Sequence, residues 1–377
     1  MYHAGRMNPV RNSPPQPLGR ASAGAISNGV KLLITTQAVD LDDPVLGFFH
    51  RWLEELSKHF DTVSVICLKE GRHSLPANVS VYSLGKERTG VSFQVSGVSK
   101  MLYAFHFYRY IWELRKNYDA VFVHMNQEYV LLGWKLWWLL GKRVVLWRNH
   151  KKGSVLTRLA TLFSRTVCYT SPSAYVAGYG NAVRMPIGID TDTFKPNGRP
   201  DPRSLLFLGR LDAVKRPEIL LKALDILGKK GVIFTADIVG DPTLGREAFA
   251  RELKQRFSAV PNVSFKPAVR NDEAATAYTS HALYVNLTPS GSFDKTIGEA
   301  MACGCIVVAA NDVLRGVIPD ELLVDADSPT SVARGIEAAL VLPEERRVEI
   351  AEKSRAYILK EHSLPFLVEK LQRLFSE

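Results

Sequence analysis

Short apolar runs that alternate with segments of helix length are the feature of this sequence that most restricts its fold. The runs are Lys31–Thr36, Val63–Leu68, Val79–Leu84, Ala120–His124, Val144–Trp147, Leu205–Leu208, Ile233–Val239, Ala282–Leu287 and Ile306–Ala310. Each is too short for a helix of ordinary length but suits a buried strand. Strands that alternate with helices form a parallel sheet covered on both faces, so the sequence predicts an α/β fold.

The length of the chain and one linker divide this pattern into two domains. A chain of 377 residues exceeds what one compact core usually holds. The Pro/Gly/Arg-rich stretch Lys195–Arg203 has the composition of a domain boundary. We predict a disordered tail at 1–30, a Rossmann-like domain at 31–196 and a second at 197–377, whose last helix is a candidate to cross back. Both would be doubly wound parallel sheets that face a central cleft, because ligands bind at the carboxyl ends of such strands.

The charge of the chain is concentrated in the first of these domains. Residues 31–196 carry 21 Lys/Arg against 13 Asp/Glu, whereas residues 197–377 carry 24 against 25. All six tryptophans precede residue 197, and the Trp-rich segment Leu131–Arg143 suits either a buried helix or an interfacial one. This asymmetry predicts an anionic partner, for which we prefer a membrane surface over nucleic acid.

Composition also predicts where the protein works. An apolar content of 46%, a charged content of 23% and the absence of a long apolar run indicate a soluble protein. The four cysteines lack metal-site spacing and suit small, reduced core residues. We predict a cytoplasmic protein that is peripheral on the inner face of the cell membrane.

Residues 288–305 carry the first candidate site. A Ser/Gly-rich loop follows an apolar strand there and opens a helix predicted at Thr296–Cys303. Free backbone N–H groups and the helix dipole make such an N-terminus suitable for a phosphate. Glu299 lies one turn into the helix, where its carboxylate can accept hydrogen bonds from sugar hydroxyls. The alternative is an ordinary strand–loop–helix connection with a solvated glutamate.

Two cations lie in a second loop of the same kind. Arg210 and Lys215 follow the strand Leu205–Leu208 and precede Pro217, which suits the first position of a helix. An arginine can bind a pyrophosphate through two hydrogen bonds, and a lysine adds a point charge. The alternative is that both are solvated surface residues.

Three strand ends of the first domain carry further candidates. Gly47 closes the loop after the first strand and would let a ligand approach the backbone closely. His124 and His150 end two successive parallel strands in a basic setting. A single histidine is usually a structural residue, but two at one sheet edge favour a site.

Taken together, these motifs resemble a known family. Gly209-Arg-Leu with Lys215, Val239-Gly-Asp-Pro, and Glu299-Ala-Met-Ala-Cys-Gly with Val307-Val308 are similar to motifs of nucleotide-sugar-dependent glycosyltransferases of the GT-B fold, family 4. The segment Gly188–Phe194 and the loop through Gly47 fit as well. The resemblance extends from about Lys31 to the C-terminus.

The resemblance implies a role for each matched residue. Arg210 and Lys215 would bind the diphosphate of the donor, and Glu299 would bind its ribose. The backbone near Pro267–Val269 would meet the base. His150 would be the active-site histidine near the transferred sugar.

One position departs from the family pattern. Members carry a glutamate eight residues before the second glutamate of the motif, and this chain has Gly291 there. The local Asp294, Lys295 and Thr296 are the candidates to contact the donor instead.

The implied function is transfer of a sugar, with retention of configuration, from a nucleotide-diphosphate sugar to a glycan or lipid-linked acceptor. It requires neither a metal nor a cofactor, although Asp40-Leu-Asp42 and Asp190-Thr-Asp192 have a spacing that suits metal assistance. Two alternatives remain. One is a nucleotide-sugar epimerase of the same fold, and the other is a non-catalytic basic protein that binds membranes or nucleic acid. A glycoside product formed on a defined acceptor would separate them.

Overall fold

A computed structural model describes residues 29–88, 97–290 and 292–376, and its first half contains a seven-stranded parallel sheet. The strands are β1 (Lys31–Val39), β2 (Thr62–Glu70), β3 (Val79–Ser83), β4 (Ala120–His124), β5 (Arg143–Trp147), β6 (Thr166–Tyr169) and β7 (Ala182–Arg184). Their order is β3-β2-β1-β4-β5-β6-β7, so the winding reverses between β1 and β4. Ligands of α/β sheets bind beside such a reversal. Residues 1–28 of the predicted tail lie outside the described residues.

Helices cover both faces of this sheet. One face packs against α1 (Gly47–Ser57), and the other packs against α2 (Gly97–Glu113), α3 (Gln127–Leu139) and α4 (Val155–Leu162). The alternation of side chains along β1 explains the two cores, because neighbouring residues of a strand point to opposite faces. Leu32 and Ile34 join the α1 core, whereas Leu33 joins the other.

The second half contains a five-stranded parallel sheet. The strands are β8 (Ser204–Leu208), β9 (Thr235–Val239), β10 (Val263–Lys266), β11 (Leu283–Asn286) and β12 (Ile306–Ala309), in the order β10-β9-β8-β11-β12. The helices of this half are α5 (Pro217–Lys229), α6 (Glu247–Arg256), α7 (Ala274–Thr279), α8 (Lys295–Ala302) and α9 (Pro329–Leu340). Two parallel sheets with helices between the strands confirm the predicted α/β fold.

Element boundaries follow local sequence signals closely. Helix α5 begins at Pro217, whose ring presets the φ angle of the first helical position, and it buries Leu220, Leu224 and Leu227 on one face. Helix α8 begins at Lys295, one residue before the predicted start, because Asp294 caps it.

The last two helices, α10 (Glu344–Glu361) and α11 (Leu364–Ser376), connect the two halves. Helix α11 joins the α1 core, where Leu367 and Leu371 are fully buried. The Phe375 ring lies 5.8 Å from that of Phe60 and 6.3 Å from that of Phe122. The C-terminal segment therefore returns to the first half of the chain. No helix in the described part of the chain combines the length and the apolar character needed to cross a membrane.

Candidate active site

The loops that follow β8, β9 and β10 lie side by side at one edge of the second sheet. The backbone N–H of Leu211 donates to the carbonyl of Asp241 at 2.9 Å. Gly240 packs so closely on the β8 loop that a Cβ at this position would lie 1.9 Å from the Gly209 oxygen. Glycine is therefore required there for steric reasons. The Ala268 N–H donates to the Asp241 carboxylate at 3.2 Å, which places the predicted base-binding segment Pro267–Val269 in this cluster of loops.

Arg210 is exposed in the loop after β8. Its Nε lies 3.7 Å from the Asp212 carboxylate, so the ion pair is loose and leaves the guanidinium accessible. Arg210, which the sequence predicts to bind the diphosphate, thus lies at the sheet edge where parallel sheets bind their ligands.

Lys215, the second predicted cation, forms an ion pair with Asp294. Both side chains are largely buried, and the same carboxylate oxygen accepts from Asn286 Nδ2 at 3.2 Å and Thr288 Oγ1 at 2.9 Å. Burial alone would raise the pKa of the Asp294 carboxyl, but the Lys215 ammonium and these hydrogen bonds hold it well below its usual value. Asp294 is therefore an anion held next to the position predicted for a phosphate.

Asp294 also occupies the N-terminus of α8. Its other oxygen accepts from the Thr296 N–H at 3.3 Å and from Thr296 Oγ1 at 3.0 Å. This is the hydrogen bonding of an N-cap residue, and it complements the positive end of the helix dipole. The helix terminus that the sequence predicts as an anion site thus already holds a carboxylate of the protein itself. A phosphate bound there would share Lys215 and Thr296 with Asp294.

Lys295 reaches from α8 to the first half of the protein. Its Nζ donates to the Gly188 carbonyl at 2.7 Å and lies 4.6 Å from the ring centre of Phe48 and 5.7 Å from that of Trp52. Burial lowers the pKa of the Lys295 ammonium to about 8, while the Glu299 and Asp190 carboxylates oppose this shift. The first residue of α8 therefore contacts α1 in the first half of the protein.

Glu299 is buried between α8 and α7. Its carboxylate accepts from the Tyr278 hydroxyl at 3.1 Å, and Asn271 Nδ2 lies within 3.5 Å of its other oxygen. Burial raises the pKa of the Glu299 carboxyl, although the Lys295 charge lowers it in part. The solvated glutamate considered as an alternative is therefore wrong.

A cavity of about 170 Å³ lies between the two halves. Gly47, Arg51, Gly188, Asp190, Asn271 and Lys295 are among the residues that line it. A Cβ at Gly47 would lie 3.0 Å from the Leu41 oxygen, so glycine also serves the packing of its own loop. Arg51 Nε donates to the Asp190 carboxylate at 2.9 Å and neutralises it beside the cavity.

His150 is exposed in the loop after β5. Its Nδ1 lies 3.1 Å from the Lys152 N–H and 3.0 Å from the Lys152 carbonyl, so the loop itself orients the ring. Within the described part of the chain, Nε2 makes no hydrogen bond. The neighbouring Lys151 Nζ comes within 3.5 Å of the Ser290 carbonyl, which brings this loop to the loop before α8. Gly291, the point of departure from the family pattern, lies outside the described residues.

His124 is buried at the end of β4. Its ring stacks on Phe49 at 4.0 Å, its Nδ1 lies 3.1 Å from Thr36 Oγ1, and its Nε2 has no partner among the described residues. Burial lowers the pKa of His124 to about 3, and the Lys295 charge adds to this effect. The neutral imidazole of His124 therefore packs beneath α1, whereas His150 is exposed to solvent.

The buried histidines predict that stability depends on pH. Burial also lowers the pKa of His362 to about 4, where Nδ1 accepts from the Ile187 N–H. At pH values between the ordinary histidine pKa near 6.5 and these lowered pKa values, the unfolded chain binds more protons than the folded protein does. The free energy of unfolding therefore falls as the pH falls. We expect each histidine to remove about 2 kcal/mol between pH 7 and pH 4.5. Urea unfolding of His362→Gln should show a weaker pH dependence than the parent, and identical slopes would contradict this.

Three of the four aspartates in the pairs with metal-site spacing are engaged by basic side chains. Asp40 pairs with Lys69 and Asp42 pairs with Arg72, while Asp190 pairs with Arg51 as described above. In residues 29–88, 97–290 and 292–376, no group of three or more His, Cys, Asp or Glu side chains is arranged to hold a metal. Independence from metal stays a prediction.

Some residues of the site have no sequence signal. Arg51, Asn271 and Tyr278 belong to no motif, and each reaches the site only through packing. The pairing of Lys215 with Asp294 joins residues 79 positions apart, so no local sequence pattern predicts it.

Part of the second half of the chain is similar to a known family. Residues 202–341 match the family model for glycosyl transferases group 1. The match includes Arg210, Lys215, Asp294 and Glu299, so the loops of the second sheet that carry these residues lie within the matched segment.

Characterised relatives are similar over part of their length. D-inositol 3-phosphate glycosyltransferase of Xylanimonas cellulosilytica is 30% identical in an alignment of 193 positions that covers 46% of this chain and 46% of that protein. Sulfoquinovosyl transferase SQD2 of Arabidopsis thaliana is 27% identical in an alignment of 155 positions that covers 38% of this chain and 28% of that protein. The chain thus spans less than half the length of these relatives.

Solved structures share the whole fold. Anabaena Alr3699/HepE in complex with UDP aligns with a TM-score of 0.72 at 17% identity, over 92% of this chain and 99% of that one. Sucrose-phosphate synthase of Thermosynechococcus elongatus also aligns with a TM-score of 0.72, at 16% identity, over 92% of this chain and 98% of that one. Together with the two parallel sheets, this confirms the predicted two-domain GT-B fold.

Proposed function

We propose that this protein is a glycosyltransferase that moves a sugar from a nucleotide-diphosphate sugar to a glycan or lipid-linked acceptor. One observation carries the proposal. The second half of the chain contains a segment that matches the group 1 glycosyl transferase model. The loops that follow its strands meet the first half of the protein at one cleft. Two lobes that close on two substrates favour transfer through orientation and exclusion of water.

The donor diphosphate binds Arg210 and Lys215 in this proposal. Arg210 is accessible at the sheet edge, and Lys215 lies beside the first turn of α8. The buried Glu299 binds the ribose, with Tyr278 and Asn271 holding its carboxylate in place. The choice of donor is supported by the UDP bound to Anabaena Alr3699/HepE and by the glycosyltransferase relatives.

Transfer proceeds with retention of configuration in this proposal, and without a metal. Negative charge grows on the departing diphosphate, and fixed cations close to it lower the barrier. Arg210 and Lys215 supply these cations. His150 holds the sugar or the acceptor through Nε2, because its other ring nitrogen is already bonded within its own loop. Gly291 stands where the family has a glutamate, and Asp294 or Lys295 contacts the donor sugar in its place. Asp294 pairs with Lys215, and Lys295 lines the cavity between the two halves.

Arg210→Ala tests the donor site without disturbing the fold. We expect the variant to bind a nucleoside diphosphate about tenfold or more weakly, since a hydrogen bond to a charged group contributes roughly 1.5–3 kcal/mol. Its melting temperature should equal that of the parent, because the side chain is exposed. Calorimetric titration measures the affinity, and the exposed Arg251→Ala on α6 is the matched control. Equal affinity of Arg210→Ala and the parent would show that the donor binds elsewhere.

Turnover separates this function from its alternatives. Incubation with a panel of nucleotide-diphosphate sugars and candidate acceptors should give a glycoside and a free nucleoside diphosphate. An epimerase would change the sugar without an acceptor. A protein that binds donors but turns over none of them would be a binding protein.

A further inference from the structure

The outer surface of α2, α3 and α4 is unusually apolar. Twenty-one large hydrophobic side chains are exposed in the described part of the chain, and thirteen of them lie on these three helices. They are Val98, Met101, Leu102, Phe105, Tyr108 and Trp112 on α2, Leu132, Trp138 and Leu139 on α3, and Val155, Leu156, Leu159 and Leu162 on α4. We call this set the apolar face. Single exposed apolar residues are ordinary, but a concentration of this size marks an interaction surface.

Helix α2 shows that the apolar face is additional to the core. Tyr103, Phe107 and Ile111 form the stripe that packs on the sheet. A second stripe, which runs from Met101 through Phe105 to Trp112, points to solvent. A helix that is apolar on two sides is normally covered on both. Among the described residues, only one side of α2 is covered.

The three helices form one surface. The Tyr108 hydroxyl on α2 donates to the Leu132 carbonyl on α3 at 2.8 Å. The Trp134 ring on α3 stacks on Phe163, the residue that caps the end of α4, with ring centres 4.1 Å apart. All three helices pack on the same side of the first sheet. The apolar face is therefore continuous across the layer.

The charged residues in the part of the chain that carries the apolar face are mostly basic. Residues 97–165 contain twelve Lys/Arg and three Asp/Glu. Lys100, Lys135 and Arg158 are exposed on the three helices themselves. Arg115 lies 4.3 Å above the Trp112 ring, so a cation and an aromatic ring share the edge of the face. Apolar and tryptophan side chains with Lys and Arg beside them match the boundary between acyl chains and anionic headgroups.

We propose that the apolar face inserts into the headgroup–acyl boundary of a membrane that contains anionic lipid. Basic residues attract the protein to the surface, and the aromatic and aliphatic side chains then hold it there by burial. Helix α4 begins at Val155, just after the loop that carries His150, so insertion holds the cleft next to the lipid surface. The proposal concerns where the protein sits and does not depend on which group it transfers.

Vesicle binding by a variant with one replacement on each helix tests the proposal. Phe105→Ser, Trp138→Ser and Leu162→Ser are combined, because these side chains are exposed by 63, 74 and 71%. Flotation with vesicles of phosphatidylglycerol and phosphatidylcholine measures the affinity. We expect it to fall by about tenfold or more relative to the parent, since each inserted side chain contributes through its apolar area.

A control variant replaces equally exposed side chains of the second domain. Ile233→Ser, Leu244→Ser and Val341→Ser remove side chains that are exposed by 66, 64 and 74%. The control should bind vesicles as the parent does. Both variants should keep the parental melting temperature, because no core contact is removed.

Three outcomes would overturn the proposal. The first is equal binding by the parent and the variant of the apolar face. The second is binding that high salt abolishes, since insertion resists salt whereas a purely electrostatic contact does not. The third is a parent that dimerises in solution through this face and binds no vesicles. None of these depends on turnover, so a failure here leaves the transferase proposal intact, and the reverse also holds.

Discussion

Replacing Asp294 with alanine is expected to lower the free energy of unfolding by about 3–5 kcal/mol, since it removes one partner of a buried ion pair. Lys215 would keep its charge in a largely buried position without a counter-ion. Asn286 and Thr288 would each lose an acceptor, and α8 would lose its N-cap. Urea unfolding monitored by circular dichroism measures the change. A loss below about 1 kcal/mol would mean that water or another group replaces the carboxylate.

A double-mutant cycle assigns this loss to the pair. Lys215→Met and Asp294→Leu are each expected to destabilise the protein, whereas the double variant should recover part of the loss, because no charge remains buried alone. Asp225→Ala is the control, since its ion pair with Lys229 is exposed on α5. It should cost less than about 1 kcal/mol. Additive single effects at Lys215 and Asp294 would contradict the coupling.

Replacing His150 with alanine is expected to lower the rate of transfer by about 10²-fold or more, the usual scale for a positioned catalytic group. The melting temperature and the donor affinity should stay at the parental values, because the ring is exposed and bonds only within its own loop. Steady-state rates with a defined donor and acceptor, together with donor titrations, separate these quantities. A histidine that merely orders its loop would instead lower stability and leave the rate unchanged.

His59→Ala is the matched control for this measurement. His59 is a partly exposed histidine that follows Lys58, the C-cap residue of α1, at the end of the helix away from Gly47 and the cleft. Its removal should change neither the rate nor the donor affinity. Parental turnover by His150→Ala would move the first-domain site elsewhere, and His124→Gln would then be the next variant to measure.

The fold was predictable because its determinants are local. Apolar runs of strand length separated by helix-length segments specify parallel α/β units. Pro217 marks the start of α5 through a signal that lies in the helix itself. The motifs around Arg210 and Glu299 were visible for the same reason. Strand-end loops of a parallel sheet must meet at one edge, so their approximate placement follows from the fold.

The contacts within the site were not predictable, since they join residues distant in the chain. Lys215 finds Asp294 from 79 positions away, and Lys295 finds the Gly188 carbonyl from 107. Lys215 and Lys295, which the sequence predicts to bind the donor, therefore also make contacts within the protein. Sequence spacing carries no information on such pairs, because only the packing of complete domains brings the partners into contact.

The tryptophans illustrate the same limit. By itself the sequence determined that the first domain is basic and rich in tryptophan. It did not determine which rings are covered. Trp52, Trp137 and Trp147 are buried, whereas Trp112 and Trp138 are exposed. Neither the composition of the domain nor the spacing of apolar residues distinguishes a tryptophan that faces the sheet from one that faces solvent. The tertiary structure decides between them, because burial depends on which neighbouring element is present to cover each face.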